Sequence, residues 1–263
     1  MNLGGRTVLL TGASGGLGHA IARALAGRGA RLVLSARRAE VLEPLAAETG
    51  GRALPCDLAD PAAVERLAAE AGPVDVLVAN AGVPGSGTIG SFSIEEIDRA
   101  LAVNLRAPMV LARLLCGGMA ERGGGQIVFV SSLSGKAGTA GSSVYSATKF
   151  GLRGFAQGMR EDLRPRGVGV STVFPGFIRG AGMFHDSGAR LPSYVGTRTP
   201  EHVARAVISA IESDRSEVEV APLALRLGAK LAGLAPEPVA MVQRRLGASE
   251  LASDMEAGQR DKR

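Results

Sequence analysis

Seven short, almost continuously apolar runs alternate along this chain with longer stretches of helical character, and that alternation constrains the fold more than any other feature. The runs lie at 7–10, 31–35, 52–55, 74–79, 126–130, 168–174 and 217–220. Strands without polar alternation must be covered on both faces, as happens in a parallel sheet. The stretches at 17–28, 39–49, 61–70, 94–119, 144–164 and 200–213 read as the covering helices. Asp60-Pro61 and Thr199-Pro200 each set a capping side chain before a proline at the first helical position. Gly29, Gly50, Gly72 and Gly167 stand where helices stop. Strand–helix–strand repetition at this spacing closes with right-handed crossovers. The expected architecture is therefore α/β: one doubly wound parallel sheet with helices on both faces. Residues 1–221 form that unit, and 222–263 are read as a helical extension and polar tail of the same domain.

The first run leads into Thr11-Gly12-Ala13-Ser14-Gly15-Gly16-Leu17-Gly18, and a helix begins at once. Glycines in such a turn let the backbone approach a pyrophosphate, which then meets the free N–H groups and positive dipole end of the helix. Between a strand and a helix the pattern points to a dinucleotide-binding Rossmann fold, with Gly12, Ser14, Gly16, Leu17 and Gly18 at the phosphates. No Gly-Lys-Ser/Thr follows, so this is not a Walker loop. The second strand ends Ala36-Arg37-Arg38, where an acidic residue would accept bonds from a free ribose 2′-hydroxyl. Arg37 and Arg38 suit a 2′-phosphate instead, so NADP(H) is expected over NAD(H). Asp57, beside Leu58 after the third strand, is placed to accept from the adenine amino group. Asn80-Ala81-Gly82 after the fourth gives a small-residue loop that suits either a structural corner or a cofactor contact.

Tyr145 and Lys149 are four apart in a helical stretch, so they share one face. With two tyrosines and four lysines in the chain, chance would produce that spacing only about 0.03 times. A free phenol titrates near ~10 and is a weak acid or base at neutral pH; a neighbouring ammonium is expected to lower that value. Ser132, at the end of the fifth run, would hold a substrate oxygen beside the phenol.

These pieces, together with Asn104 and Pro175-Gly176, resemble the short-chain dehydrogenase/reductase family in order and spacing across roughly residues 5–220. The resemblance implies that Tyr145 is the general acid/base and that Ser132 polarises the carbonyl or alcohol oxygen. It implies that Lys149 holds the nicotinamide ribose and depresses the Tyr145 pKa. Asn104 would anchor a water relaying protons through Lys149. Tyr145, Lys149, Pro175, Gly176 and Ile178 would also contact the cofactor. The helices at 94–119 and 144–164 would pair across subunits into a homodimer or homotetramer. One position departs from the pattern: Gly180 stands where the family often carries a threonine that bonds the carboxamide.

Composition narrows the alternatives. The net charge is +5, yet only four of the 30 basic residues are lysines and the arginines are scattered, so no nucleic-acid surface is expected. Cys56 and Cys116 form neither a disulfide framework nor a metal-ligand spacing, and no metal is expected. No leader is read at the start and no apolar run reaches ~18 residues, which points to the cytoplasm. Met183, Phe184, His185, Leu191 and Tyr194, in the turn-rich segment 179–198, either line a substrate pocket or pack a surface loop. An apolar small-molecule carbonyl or alcohol is the expected substrate.

Leu223, Leu227, Leu231 and Leu234 recur at helical spacing with Arg226 and Lys230 on another face. Such a basic amphipathic helix can lie on an anionic membrane, but packing on its own core or on a sister subunit is the expectation. Residues 253–263 read as frayed. Two other functions share these features. A silent NADP(H) sensor would keep the fold without the chemistry, but has no need of Ser132, Tyr145, Lys149 and Asn104 together. An epimerase or dehydratase would use the Tyr–Lys pair but is expected to have a larger C-terminal substrate domain.

Overall fold

The computed structural model describes residues 1–192, 195–245 and 248–262. Seven parallel strands run β1 (Thr7–Thr11), β2 (Arg31–Ser35), β3 (Arg52–Ala53), β4 (Val76–Ala79), β5 (Gly125–Val130), β6 (Val168–Pro175) and β7 (Glu217–Val220). Their spatial order is β3-β2-β1-β4-β5-β6-β7, which reverses direction between β1 and β4. In a doubly wound sheet the ligand crevice opens at the carboxyl ends of the strands beside that reversal.

The unbroken apolarity of the strands serves two cores. Leu9, Leu77, Ile127 and Phe129 point to one face, where α3 (Pro61–Ala71), α5 (Ala107–Glu121) and α6 (Ser143–Leu163) cover them. Val8, Leu10, Val76, Val78 and Val128 point to the other, beneath α1 (Gly16–Ala26), α2 (Ala39–Thr49) and α8 (Pro200–Ser213). Each fully buried Leu, Val, Ile or Phe contributes about 1.5–3 kcal/mol, and both layers are rich in them. The Asp60 cap forms as the sequence predicts, accepting from the Ala62 N–H at 2.9 Å.

Four details differ from the sequence-based expectation. The third strand is short, Arg52–Ala53, yet Leu54 and Cys56 still donate their N–H groups to the Leu34 and Ala36 carbonyls of β2 at 2.8 and 2.9 Å, so Pro55, on this edge strand, sits where no ladder N–H is needed. The helix expected at 94–119 is α4 (Ile94–Leu101), a π-helical turn (Ala102–Arg106) and then α5. Residues 94–121 are apolar and long enough to cross a membrane, although the sequence shows no single unbroken run. Half of that stretch is buried, however, and Leu111 and Met119 lie in the core, so it is a core helix. Lastly, the tail folds into α9 (Leu223–Leu234), α10 (Pro236–Arg245) and α11 (Ala248–Gln259). Its end is not frayed: Gln259 is buried and donates to the Met183 carbonyl at 2.9 Å.

Candidate active site

The glycine turn at the end of β1 is locked against the loop after β4. Gly12 has φ +66, and a Cβ there would lie 2.7 Å from the Ala81 Cα. Asn80 Nδ2 donates to the Thr11 and Gly12 carbonyls at 3.2 and 3.1 Å, while the Asn80 and Ala81 N–H groups both donate to Thr11 Oγ1 at 3.2 Å. Asn80 and Thr11 thus hold the turn in shape. Gly18 sits where a Cβ would stand 2.2 Å from the Gly12 carbonyl oxygen and 2.7 Å from the Ala13 Cα. Those are backbone atoms that cannot swing aside. Gly18→Ala is therefore expected to cost about 1–3 kcal/mol of stability. It should also weaken binding of a dinucleotide at least tenfold, roughly the effect of a 1.4 kcal/mol loss. Thermal melting and cofactor titration check both.

The cradle fits a dinucleotide. Gly15 is exposed, a Cβ on it would have only the Gly12 carbonyl oxygen within reach, at 3.7 Å, and α1 opens directly from it, so the first N–H groups of a helix stand at the turn. The buried Ser35 hydroxyl, at the carboxyl end of β2, has no hydrogen-bond partner among the described residues, as expected of a group reserved for a ligand. Arg37 and Arg38 follow it, both exposed. Asp57 is exposed and accepts from the Ala59 N–H at 3.0 Å, while Leu58 is buried beneath it. Burial pushes the neighbouring Cys56 thiol up to about 11, which keeps it an inert core residue.

Tyr145 and Lys149 lie on the inner side of α6, as their spacing predicts. Lys149 is buried; its Nζ stands 5.5 Å from the centre of the Tyr145 ring and donates to the Val130 carbonyl at 3.2 Å. Burial takes its ammonium down to about 8. The same desolvation pushes the Tyr145 phenol up to about 12, against a pull downward from the Ser132 hydroxyl. The drop expected from Lys149 is not found: burial raises the phenol, and the pull downward comes from Ser132. Ser132 opens a short turn and accepts from the Ser134 N–H at 3.1 Å, which leaves its own O–H free to donate. Gly85 backs the tyrosine: a Cβ there would meet Tyr145 Cβ at 3.0 Å.

Asn104 is buried within the π-helical turn. Its Oδ1 accepts from the Val83 N–H at 2.8 Å, and its Nδ2 donates to the Val83 carbonyl at 3.0 Å and toward Thr148 Oγ1 at 3.5 Å. The side chain therefore clamps the Asn80–Val83 loop to α6. The signal for the widened turn was present in the sequence: Pro108 has no N–H to offer the Asn104 carbonyl four residues earlier.

Gly176, at the end of β6, donates its N–H to the Val220 carbonyl at 3.1 Å. Pro175 closes β6, and Ile178 is buried beside Arg198 in an isolated parallel bridge. Gly180 has φ +82, a conformation that a β-branched threonine resists, so glycine suits the backbone here. The following segment lies on the cofactor turn. A Cβ on Gly16 would meet Ala181 Cβ at 2.3 Å, and one on Gly82 would meet Met183 Cε at 3.3 Å and Lys149 Nζ at 3.7 Å. Met183 thus joins the site, at the start of the short α7 (Met183–Ser187). Phe184 instead packs edge-to-face on Phe177, 5.0 Å between centres; His185 is exposed and takes no part; Leu191 is half-buried; Tyr194 lies outside the described residues. Sequence reasoning missed the cover over this segment, where α11 places Gly258 against Ser187 and Ala252 against Gly141.

Lys136, four residues beyond Ser132, is buried between Glu217 and Glu219, 2.7 Å from each, with Phe174 4.3 Å beneath. That pairing ties the Ser132 loop to β7. Among the described residues no cluster of His, Cys, Asp and Glu suits a metal ion.

A family profile described as short chain dehydrogenase matches residues 6–191. The chain is 43% identical over 228 residues to the ketoacyl reductase HetN of Nostoc sp., covering 83% of this chain and 79% of that one. It is 34% identical over 184 residues to the 3-oxoacyl-[acyl-carrier-protein] reductase FabG of Escherichia coli, covering 68% of this chain and 75% of that one. Among solved structures, a short-chain dehydrogenase from Sphingobium yanoikuyae in complex with NADPH superposes with a TM-score of 0.76 at 31% identity, covering 89% and 94% of the two chains.

Proposed function

The chain belongs to the short chain dehydrogenase family, whose members are oxidoreductases that use a nicotinamide cofactor on small molecules, and from that premise we propose that it reduces an apolar 3-oxoacyl-type carbonyl with NADPH. The observation that carries this reading is the convergence of Ser132, Tyr145 and Lys149 at the carboxyl edge of the sheet, beside the glycine cradle. The names of the reductase relatives support the substrate class, and the NADPH complex of a structural neighbour supports the cofactor.

The bound cofactor supplies the hydride. Ser132 donates a hydrogen bond to the carbonyl oxygen, and Tyr145 gives its proton to the alkoxide that forms. A phenol at about 12 is protonated at neutral pH and so ready to donate. An alkoxide is about as basic as hydroxide, whose conjugate acid titrates near ~15.7, so the transfer runs downhill. The Lys149 ammonium then stabilises the phenolate left behind. Asn104 acts as a positioning residue by holding the Asn80–Val83 loop against α6. Arg37 and Arg38 take the 2′-phosphate.

The charge on Lys149 sets a pH dependence. Below its value of about 8 it is a cation; above, it is neutral and the phenolate loses its counter-charge. The kcat/KM for reduction is expected to be level below that pH and to fall above it, measured at saturating NADPH. A profile that rises through the same range would contradict the assignment. The exposed Leu101, Leu114 and Phe150 on α4–α6 support a homodimer or homotetramer through those helices, which light scattering would measure.

The substrate assignment is tested by turnover of 3-oxoacyl thioesters, simple ketones and aldehydes with NADPH and NADH in parallel. Tight NADPH binding with no turnover on any of them would return the chain to a silent sensor.

A further inference from the structure

Helix α9 presents its leucines outward. Leu223, Leu227, Leu231 and Leu234 remain 65, 51, 55 and 84% exposed, while the opposite side seats the small Ala229 against the protein. At 100° per residue the four leucines fall within one ~80° arc, a single continuous stripe. A surface helix of a soluble domain ordinarily turns such a stripe inward. The inward side of α9 is instead fixed by an ion pair, Arg226 Nε to Glu219 at 2.9 Å, so rotating the leucines into the core would break it. Helix α10 packs back on α9 and adds Met241 and Val242, 48 and 54% exposed. An apolar surface of this extent marks a contact with something outside the monomer.

The charges around the stripe choose the occupant. α9 contains Arg226 and Lys230 and no acidic residue, and Lys230 lies next to the leucine arc, exposed. Arg244 of α10 is likewise exposed, with Glu237 the one acidic residue of that helix. Apolar side chains flanked by cations match a bilayer whose headgroups are anionic. We propose that α9–α10 is a peripheral membrane-docking surface, with the leucine stripe at the acyl boundary and Lys230 and Arg244 at anionic headgroups.

The site lies close to this surface. Pro222, at the start of α9, abuts Gly196 at the end of the substrate segment, and Gly233 near its other end approaches the Lys136 carbonyl on the Ser132 loop. Docking would therefore bring the mouth of the site near the bilayer, where an apolar carbonyl compound is taken up, a consequence that rests on the proposed function although the docking itself does not.

Flotation with vesicles of phosphatidylcholine, with and without phosphatidylglycerol, tests the surface directly. The protein is expected to float with the anionic vesicles and to be released by high salt. The variant L227Q/L231Q/L234Q should lower the partition coefficient at least about tenfold while its melting temperature and NADPH binding stay those of the wild type. Lys230→Glu, at an exposed position, should weaken binding to anionic vesicles by at least about tenfold. Wild-type protein that stays unbound on anionic vesicles overturns the proposal, as does a triple variant that binds as well as wild type. A concentration-dependent oligomer that the triple variant dissolves, without vesicle binding, would reassign the stripe to a second copy of the chain.

Discussion

Tyr145→Phe is expected to lower kcat/KM for carbonyl reduction about 10³-fold while NADPH binding and melting temperature stay within error of the wild type. A positioned general acid contributes roughly 10²–10⁴-fold, and no other protonated group in this site can replace it. Ser132 has a hydroxyl of much lower acidity. Lys149 is directed to the Val130 carbonyl. The ring remains, and the Tyr145 backbone and Cβ that face Gly85 are untouched, so the fold has no reason to change. A thousandfold loss corresponds to about 4 kcal/mol of transition-state stabilisation. Full activity in Tyr145→Phe would remove the proposed mechanism, whatever the substrate proves to be. Measuring hydride transfer in a single turnover, together with cofactor titration, separates a loss of chemistry from a loss of binding.

The second large effect concerns cofactor choice. Arg37→Ala with Arg38→Ala is expected to reduce kcat/KM with NADPH about 100-fold and to leave the value with NADH within about threefold. A charge-assisted hydrogen bond is worth about 1.5–3 kcal/mol, so losing contact with one phosphate through two guanidinium groups reaches that range. Both arginines are exposed, and among the described residues neither is held in an ion pair, so their removal leaves the sheet intact. Equal use of NADH and NADPH by the wild-type protein would sink this assignment outright.

The reliability of the sequence reading followed the range of the physics involved. A glycine turn between a strand and a helix is local, and so is the placement of Tyr145 and Lys149 on one helix face; both stood in the structure as the sequence predicts. Pro108 forecasts the lost hydrogen bond at Asn104, although its consequence, a π-helical turn, needed the rest of the helix to be seen. The capping box of Ser93 and Glu96 at the start of α4 was legible in the same way. In contrast, Thr148 and Val83, which hold Asn104, are distant in sequence and carried no motif. Met183 could be named as a pocket residue only as one of two readings; that its side chain lies against Gly82 was visible only in the structure.

By itself, then, the amino-acid sequence determined the alternating parallel architecture, the glycine turn and the shared helix face of Tyr145 and Lys149, because each follows from periodicity or from spacing within a few residues. The tertiary structure alone decided three things. It set the Tyr145 and Lys149 titrations at about 12 and about 8, because desolvation depends on what surrounds a group and not on its neighbours in sequence. It folded the polar C-terminal residues into α11 over α7, because Gln259 and Gly258 find partners only in space. And it turned the leucines of α9 outward: an amphipathic pattern states that one face is apolar, but which surface that face meets depends on the rest of the molecule and on what lies beyond it.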